Sequence, residues 1–225
     1  MTIAVVTSGC VAAGSADVSS LTVECTVPQG LAGAAVFVGV AAGGGMAGTS
    51  VRLVGQDFSL VAALTHATYY RSELWALYNP QQVGPCTLTI TFSAAEQHAA
   101  GFVVVRGVDV ANPIRSSSTG GAGPNGDGEA NIAIASAVDD LVLDHVFYGD
   151  NVGTNPSVGP NQTEQYHARS GKTGPTNQSE SAVSTEAGAA TVSMTWSGNG
   201  TRVFSHCVVS IRPLVGKPNQ AVVLV

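Results

Sequence analysis

Charge is the scarcest feature of this 225-residue chain: Asp, Glu, Lys and Arg together make up 11% of it, under half of the usual share of about 25%. The nine Lys and Arg against fifteen Asp and Glu leave a net charge of −6 with no basic run, which excludes a phosphate backbone as partner and so argues against nucleic acid. Abundant Glu, Lys and Arg, the material of coiled coils and long amphipathic helices, is missing, and no segment keeps an i, i+3, i+4, i+7 apolar stripe for three turns. Disorder is excluded from the other side, because 44% of the residues are apolar. A basic leader is absent too: residues 1–16 hold no Lys or Arg, their apolar core is only Ile3-Ala4-Val5-Val6, and Thr7-Ser8-Gly9-Cys10 lacks the flanks of a lipoprotein box. The expectation is a chain that folds in the cytoplasm of its producer. Leu31 to Ser50 is uncharged and of membrane-spanning length, but six glycines interrupt it. A strand running into a glycine loop explains it better than a bilayer span, and no membrane partner is expected.

Glycine is plentiful, at 27 of 225 residues, nearly twice the usual share of about 7%. Around it the periodicity is two. Leu21–Val27 and Cys86–Phe92 alternate apolar residues with Thr or Glu, and Ala189–Trp196 does the same, as half-buried antiparallel strands do. Ala34–Val40, Phe102–Val105, Leu141–Tyr148 and Val203–Ile211 are more continuously apolar and suit strands covered on both faces. Pro28-Gln29-Gly30, Asn79-Pro80, Val83-Gly84-Pro85 and Gly198-Asn199-Gly200 supply turns. The fold class expected is all-β, an antiparallel β-sandwich, jelly-roll-like, with long loops. Ser93–Ala100 reads as a single helical turn or a polar loop. Arg115–Ala130, rich in Ser and Gly, reads as a long loop joining two halves, and Asp150–Ser181 as a second, with one short strand near Gln165–Arg169. Each half by itself reads as having too few strands to close a sandwich, so one domain over residues 1–215 is expected. The tail 216–225 ends in the bare apolar strand Ala221-Val222-Val223-Leu224-Val225. Left unpaired this is a sticky edge, so it is a candidate interface with its own sheet or a neighbouring subunit.

The residues that carry chemistry are dispersed. Cys25, Cys86 and Cys207 each share a strand face with apolar neighbours and read as buried, reduced thiols, and no CxxC or Cys/His cluster suggests zinc. The five histidines show no ligand spacing, and Asp144 and His145 project from opposite faces of one strand. No G-x-S-x-G elbow occurs, and no spacing selects a pair among the fifteen acids. Asn125-Gly126-Asp127-Gly128-Glu129 has oxygen ligands but not the spacing of a calcium loop. No catalytic residue, metal or cofactor is therefore expected. Tyr69, Tyr70, Arg71 and Trp75 are candidate binding residues, since exposed aromatics stack on sugars or anchor interfaces. Strand alternation gives a second account: Leu74, Ala76 and Tyr78 on one face, Glu73, Trp75 and Leu77 on the other, as in a strand buried on both sides. The sequons at Asn161, Asn177 and Asn199 are what a chain rich in Ser, Thr and Asn produces without a secretory route.

Several stretches carry a resemblance: Arg71–Pro80 (RSELWALYNP), Gly84–Phe92 (GPCTLTITF), Ala100–Asp109 (AGFVVVRGVD), Asn112-Pro113-Ile114, Val192–Trp196 and Val208–Pro213 (VVSIRP). In this order they resemble a family of jelly-roll-like β-sandwich domains found in tailed-phage virion proteins and bacterial surface proteins. The resemblance covers roughly residues 18–213, and its motifs mark strand ends and turns. It implies non-enzymatic structural, adhesive or carbohydrate-contacting roles. Without a secretion signal or repeated domains, the expectation is a bacteriophage virion protein assembled in the host cytoplasm, a capsid decoration (cement) protein before a tail or fibre component. Its partners would be neighbouring virion proteins such as the major capsid protein, with self-association, trimeric in one version. The alternative is a carbohydrate-binding or adhesion module that takes a glycan.

Overall fold

A computed structural model describes residues 2–14, 16–45, 47–66, 70–122, 129–149, 156–171, 179–197 and 203–215. The strands are β1 (Ala4–Ala12), β2 (Val18–Val27), β3 (Ala35–Ala42), β4 (Gly48–Leu53), β5 (Gln56–Asp57), β6 (Ser59–His66), β7 (Tyr70–Tyr78), β8 (Gly84–Glu96) and β9 (His98–Arg106). The second half holds β10 (Ile114–Ala122), β11 (Glu129–Ala135), β12 (Leu141–Gly149), β13 (Ser157–Val158), β14 (Thr163–Arg169), β15 (Ser179–Ala187), β16 (Thr191–Ser197) and β17 (Val203–Ile211). Among the described residues the only helical element is a short 3-10 turn, Gly43–Gly45. The chain is all-β.

Four antiparallel sheets form, two from each half. The first inner sheet runs β1-β9-β3-β7-β6 and the first outer sheet β2-β8-β4-β5; the second inner sheet runs β10-β17-β12-β15-β14 and the second outer sheet β11-β16-β13. They stack in four layers. Val36, Val38 and Phe102 of the first inner sheet pack on Leu21, Leu88 and Ile90 of the first outer sheet. On its other face, Phe37, Leu74 and Val103 meet Leu143, Val183 and Val209 of the second inner sheet. That sheet's remaining face, with Val142 and Val208, is covered by Ile132, Val192 and Met194 of the second outer sheet. The layering explains the two sequence patterns. Every residue of β3 and of β17 is buried, because inner strands are covered on both faces, whereas outer β11 alternates exposed and buried along its length.

The two halves repeat one topology. Mapping β1, β2, β3, β4, β6, β7, β8 and β9 onto β10, β11, β12, β13, β14, β15, β16 and β17 converts each sheet order of the first half into that of the second, except that β5 has no counterpart among the described residues. Two β-bulges set the residue correspondence. β1 is bulged opposite Val104 and Val105, and β10 opposite Ser210 and Ile211; β6 is bulged opposite Leu74 and Trp75, and β14 opposite Val183 and Ser184. Through the registers of β3 and β12 both bulges place Gly39 on His145. The packing between halves is also reciprocal: β1 touches β14 as β10 touches β6, and β9 touches β15 as β17 touches β7. The halves are related by a pseudo-twofold axis through β3 and β12.

Several expectations are corrected. Each half does have enough strands to make two facing sheets, although the halves also share the core between their inner sheets. Arg115–Ala130 is not a long loop: residues up to Ala122 form β10 and Glu129 opens β11. Its small residues are those an inner edge strand needs at close quarters, since a Cβ on Gly121 would lie 2.9 Å from His66 Nδ1. Asp150–Ser181 contains β14, the strand expected near Gln165–Arg169, and beyond that expectation β13 and the start of β15; Ser93–Ala100 is the end of β8, Gln97 and the start of β9, without a helical turn. The tail Ala221–Val225 and Asn125–Asp127 lie outside the described residues.

Candidate functional site

The inner strand β12 carries Asp144 and His145 side by side in an otherwise apolar run, and the pleat sends them into different interfaces. Both are fully buried. His145 enters the seam between the two inner sheets. Its Nδ1 is 2.7 Å from Ser72 Oγ on β7 and its Nε2 is 2.9 Å from Ser181 Oγ on β15. Ser72 Oγ also donates to the His145 carbonyl (3.2 Å), an arrangement that suits a neutral ring with its proton on Nδ1. Tyr166 OH donates to the Gly39 carbonyl (3.2 Å) and lies 3.4 Å from Ser181 Oγ. Burial, then the proximity of His206, lowers the His145 pKa to about 3, and burial pushes the Tyr166 hydroxyl well above its ordinary value.

Asp144 points the other way, toward the second outer sheet. It accepts from Ser184 N (2.8 Å), Ser184 Oγ (2.8 Å) and Trp196 Nε1 (2.7 Å), and lies 2.9 Å from His206 Nε2. A carboxylate taken out of water this completely is tolerable only with such a set of donors. Tyr148 OH closes the same cluster by donating to the Trp196 carbonyl (3.0 Å). A Ser–His pair and an Asp–His pair are thus present in one strand's neighbourhood. Both are sealed from solvent, and their hydrogen bonds are spent on joining sheets.

The four sequence-selected aromatic and basic candidates do not converge on one surface. Tyr69 lies outside the described residues. Tyr70 turns toward the second half, its ring 5.5 Å from that of Phe147. Arg71 and Trp75 are on the opposite face of β7, where Arg71 Nε (2.5 Å) and Trp75 Nε1 (2.8 Å) both donate to the buried carboxylate of Glu73. Leu74 and Ala76 on one side and Trp75 and Leu77 on the other join separate apolar clusters, the arrangement that strand alternation describes. Of the four cysteines, all free, Cys25, Cys86 and Cys207 are buried as their strand positions imply, and Cys10 is exposed.

Open space occurs elsewhere, in a groove of about 560 Å³ where the N-terminal residues Ile3 and Val5 face Asn161, Gln165, Thr185 and Glu186 of the second half. One end is anchored by Asp140, which takes a bidentate pair from Arg115 Nε (2.5 Å) and Nη2 (3.0 Å) and a further bond from Ser210 Oγ (2.7 Å). Burial works to raise the Asp140 pKa, but these donors outweigh it and hold the carboxyl below its usual value. Glu186, in contrast, is raised by burial and then by Asp144, and its Oε2 is buried without a hydrogen-bond partner. Sequence reading missed this groove because its residues come from four separate segments. The Asp144–His145 pair had a legible signal: two ionisable residues inside a run covered on both faces must each have a buried partner. Among the described residues no group of three His, Cys, Asp or Glu is placed to hold a metal ion. No family model matches the chain, and no curated protein matches it.

Proposed function

We propose that this chain is a non-enzymatic structural protein of a bacteriophage virion, a capsid decoration protein that stabilises a shell by lying against neighbouring subunits. The observation that carries this reading is the chemistry of the two outer faces. The first outer sheet presents Thr22, Thr26, Thr87 and Thr91 to solvent beside Glu24 and the exposed Arg52–Asp57 ion pair, and the second presents Asn131, Ala133, Thr191 and Ser193 beside Glu129. Such faces carry few charges to desolvate when another protein covers them, and hydroxyls that re-pair across an interface. The sealing of both histidine clusters supports the non-enzymatic part, because a general base must reach its substrate. The order β1-β9-β3-β7 over β2-β8-β4-β5 in the first half, with β6 added at the edge of the inner sheet, supports a jelly-roll-like assignment for that half.

Co-sedimentation of the purified chain with tailed-phage capsids that lack their decoration protein tests the reading, alongside light scattering for self-association. Saturable binding with a raised capsid melting temperature is the expected result. A chain that stays in the supernatant and monomeric across salt and pH overturns it.

A further inference from the structure

Cys25 and Cys86 face each other directly within the first outer sheet. They are Cα partners in the β2–β8 ladder, so both side chains leave the same face of the sheet. Cys86 Sγ donates to the Cys25 carbonyl (3.2 Å). The two thiols also act on each other, since burial and then the Cys86 thiol raise that of Cys25. Directly opposed residues of an antiparallel pair have Cα atoms about 4.5–5.5 Å apart, inside the span of about 4.4–6.8 Å that a disulfide bridges. The internal repeat shows that the fold does not require thiols in such a row. In β11 and β16, the counterparts of β2 and β8, the inward-facing pairs are Ala130–Trp196, Ile132–Met194 and Ile134–Val192.

We propose that Cys25 and Cys86 are the site of a reversible intramolecular disulfide that fastens β2 to the body of the first half, a covalent modification beyond the scaffold function proposed above. β2 is an edge strand, held in its sheet by β8 alone. The two residues stand 61 positions apart, and the loop between them holds β3 to β7. Closing a loop of that length removes much of the freedom of the unfolded chain. Cys25 is 1% and Cys86 6% exposed, so reaction needs a local opening. Only the pairs Thr26–Pro85 and Val27–Gly84 lie beyond them at that end of the ladder, and fraying at an end is the least costly opening a strand pair makes. Cys86, the more exposed, loses its proton to solvent and attacks one sulfur of a small disulfide, whose own S–S bond breaks and whose other half leaves as a thiol. Cys25 loses its proton in turn, attacks the Cys86 sulfur and expels the remaining half as a second thiol. The pair gives up two electrons and two protons, and the small disulfide is reduced by the same amount. Reducing surroundings hold the pair as thiols, and oxidising surroundings convert it.

The test uses the full chain with Cys10→Ser, so that the exposed thiol takes no part. The folded chain is held overnight with hydroxyethyl disulfide at mildly alkaline pH, then digested without reduction and read by mass spectrometry. A peptide pair joined through Cys25 and Cys86 is expected. The urea midpoint of the joined chain should exceed that of the reduced chain by about 1 M, a typical loop-closure gain divided by a typical urea slope. A reductant should reverse both changes. Cys25→Val with Cys86→Val, an apolar filling like that of Ile134 and Val192, should show no shift on oxidation. The comparison of one chain oxidised and reduced holds even where the double variant fails to fold, and it is independent of capsid binding. The proposal is overturned if both thiols stay free in the folded chain, if reaction stops at a mixed disulfide on Cys86, if the link joins Cys207 instead, if linkage leaves the midpoint unchanged or lower, or if the double variant shows the same shift.

Discussion

Ser72 and Ser181 occupy equivalent positions in the two halves, one opposite Ala41 and the other opposite Phe147 in matching registers, and they bind the two ring nitrogens of one histidine. His145 therefore sits on the pseudo-twofold axis, and the position equivalent to it is Gly39. A symmetric pair of histidines would collide there: even a Cβ on Gly39 would lie 2.4 Å from His145 Cδ2 and 2.5 Å from Tyr166 OH. Gly101 gives way to the Tyr166 ring in the same manner, with a Cβ at 2.6 Å. At the axis the second half supplies the large polar residues and the first supplies the space for them; away from it the exchange reverses, with Gly149 giving way to Tyr70 and Gly121 to His66.

Gly39→Ala should therefore cost about 2–3 kcal/mol, the upper range for forcing extra volume into a packed core. Urea denaturation measures it. Because part of the clash is with His145 and the rest with Tyr166 OH, the same substitution in a His145→Gly background should cost at least about 1 kcal/mol less, the coupling expected of residues in contact. Equal costs in the two backgrounds would show that the seam relaxes around the methyl group.

Acid should destabilise the fold through its buried histidines. The pKa values of His145 and His98 are lowered mainly by burial, to about 3 and about 4, from about 6.5 in the unfolded chain. As pH falls below about 6.5 the unfolded state takes up protons that the folded state refuses, so stability drops until the folded values are reached. Each histidine contributes a slope of about 1.4 kcal/mol per pH unit in that window. Unfolding free energies from pH 6.5 to 4.5 should show it, and His145→Gln should remove one proton's worth of slope. A flat profile would mean that these rings accept protons without loss.

Asp144→Asn should destabilise by about 3–5 kcal/mol, as removal of one member of a buried charged set does. The amide keeps one acceptor oxygen where Ser184, Trp196 and His206 all converge. Trp196 fluorescence followed through thermal unfolding is the direct readout. A loss under about 1 kcal/mol would place the weight of this cluster on its apolar neighbours instead.

A thiol-reactive disulfide reagent should label one cysteine ahead of the other three in the native protein, although partial burial raises the Cys10 thiol as well, and all four after denaturation. Cys10 is exposed, while Cys25, Cys86 and Cys207 are buried. Burial, reinforced by Cys86, pushes the Cys25 thiol up to about 12, and burial does the same to Cys207, so neither offers thiolate at neutral pH. Mass spectrometry of the labelled native chain identifies the site.

Local pattern was enough for the class of fold and for more than that. Alternation in Leu21–Val27 and Thr191–Ser197 marks strands with one wet face, and the run Leu141–Gly149, apolar but for Asp144 and His145, marks one with none; these fall in outer and inner sheets as their patterns require. The period of two reports how many faces of a strand are covered, because that is set residue by residue. It is silent on what does the covering. Ile114–Ala122 reads as loop because Ser and Gly have little intrinsic preference for strands, yet pairing with β17 makes it one.

The groove and the axial histidine belong to the same second category. The equivalence of Ser72 with Ser181 and the pairing of His145 with Gly39 are relations between residues about a hundred positions apart, with no shared sequence to announce them. Sequence by itself determined an all-β chain with buried thiols, scarce charge and strands of two burial classes, since each follows from composition and short-range period. Tertiary structure alone decided that two similar halves face each other, that their large and small residues interlock on an axis, and that a groove opens where the N-terminal strand meets the second half. Those outcomes depend on which faces meet, and faces meet through long-range pairing.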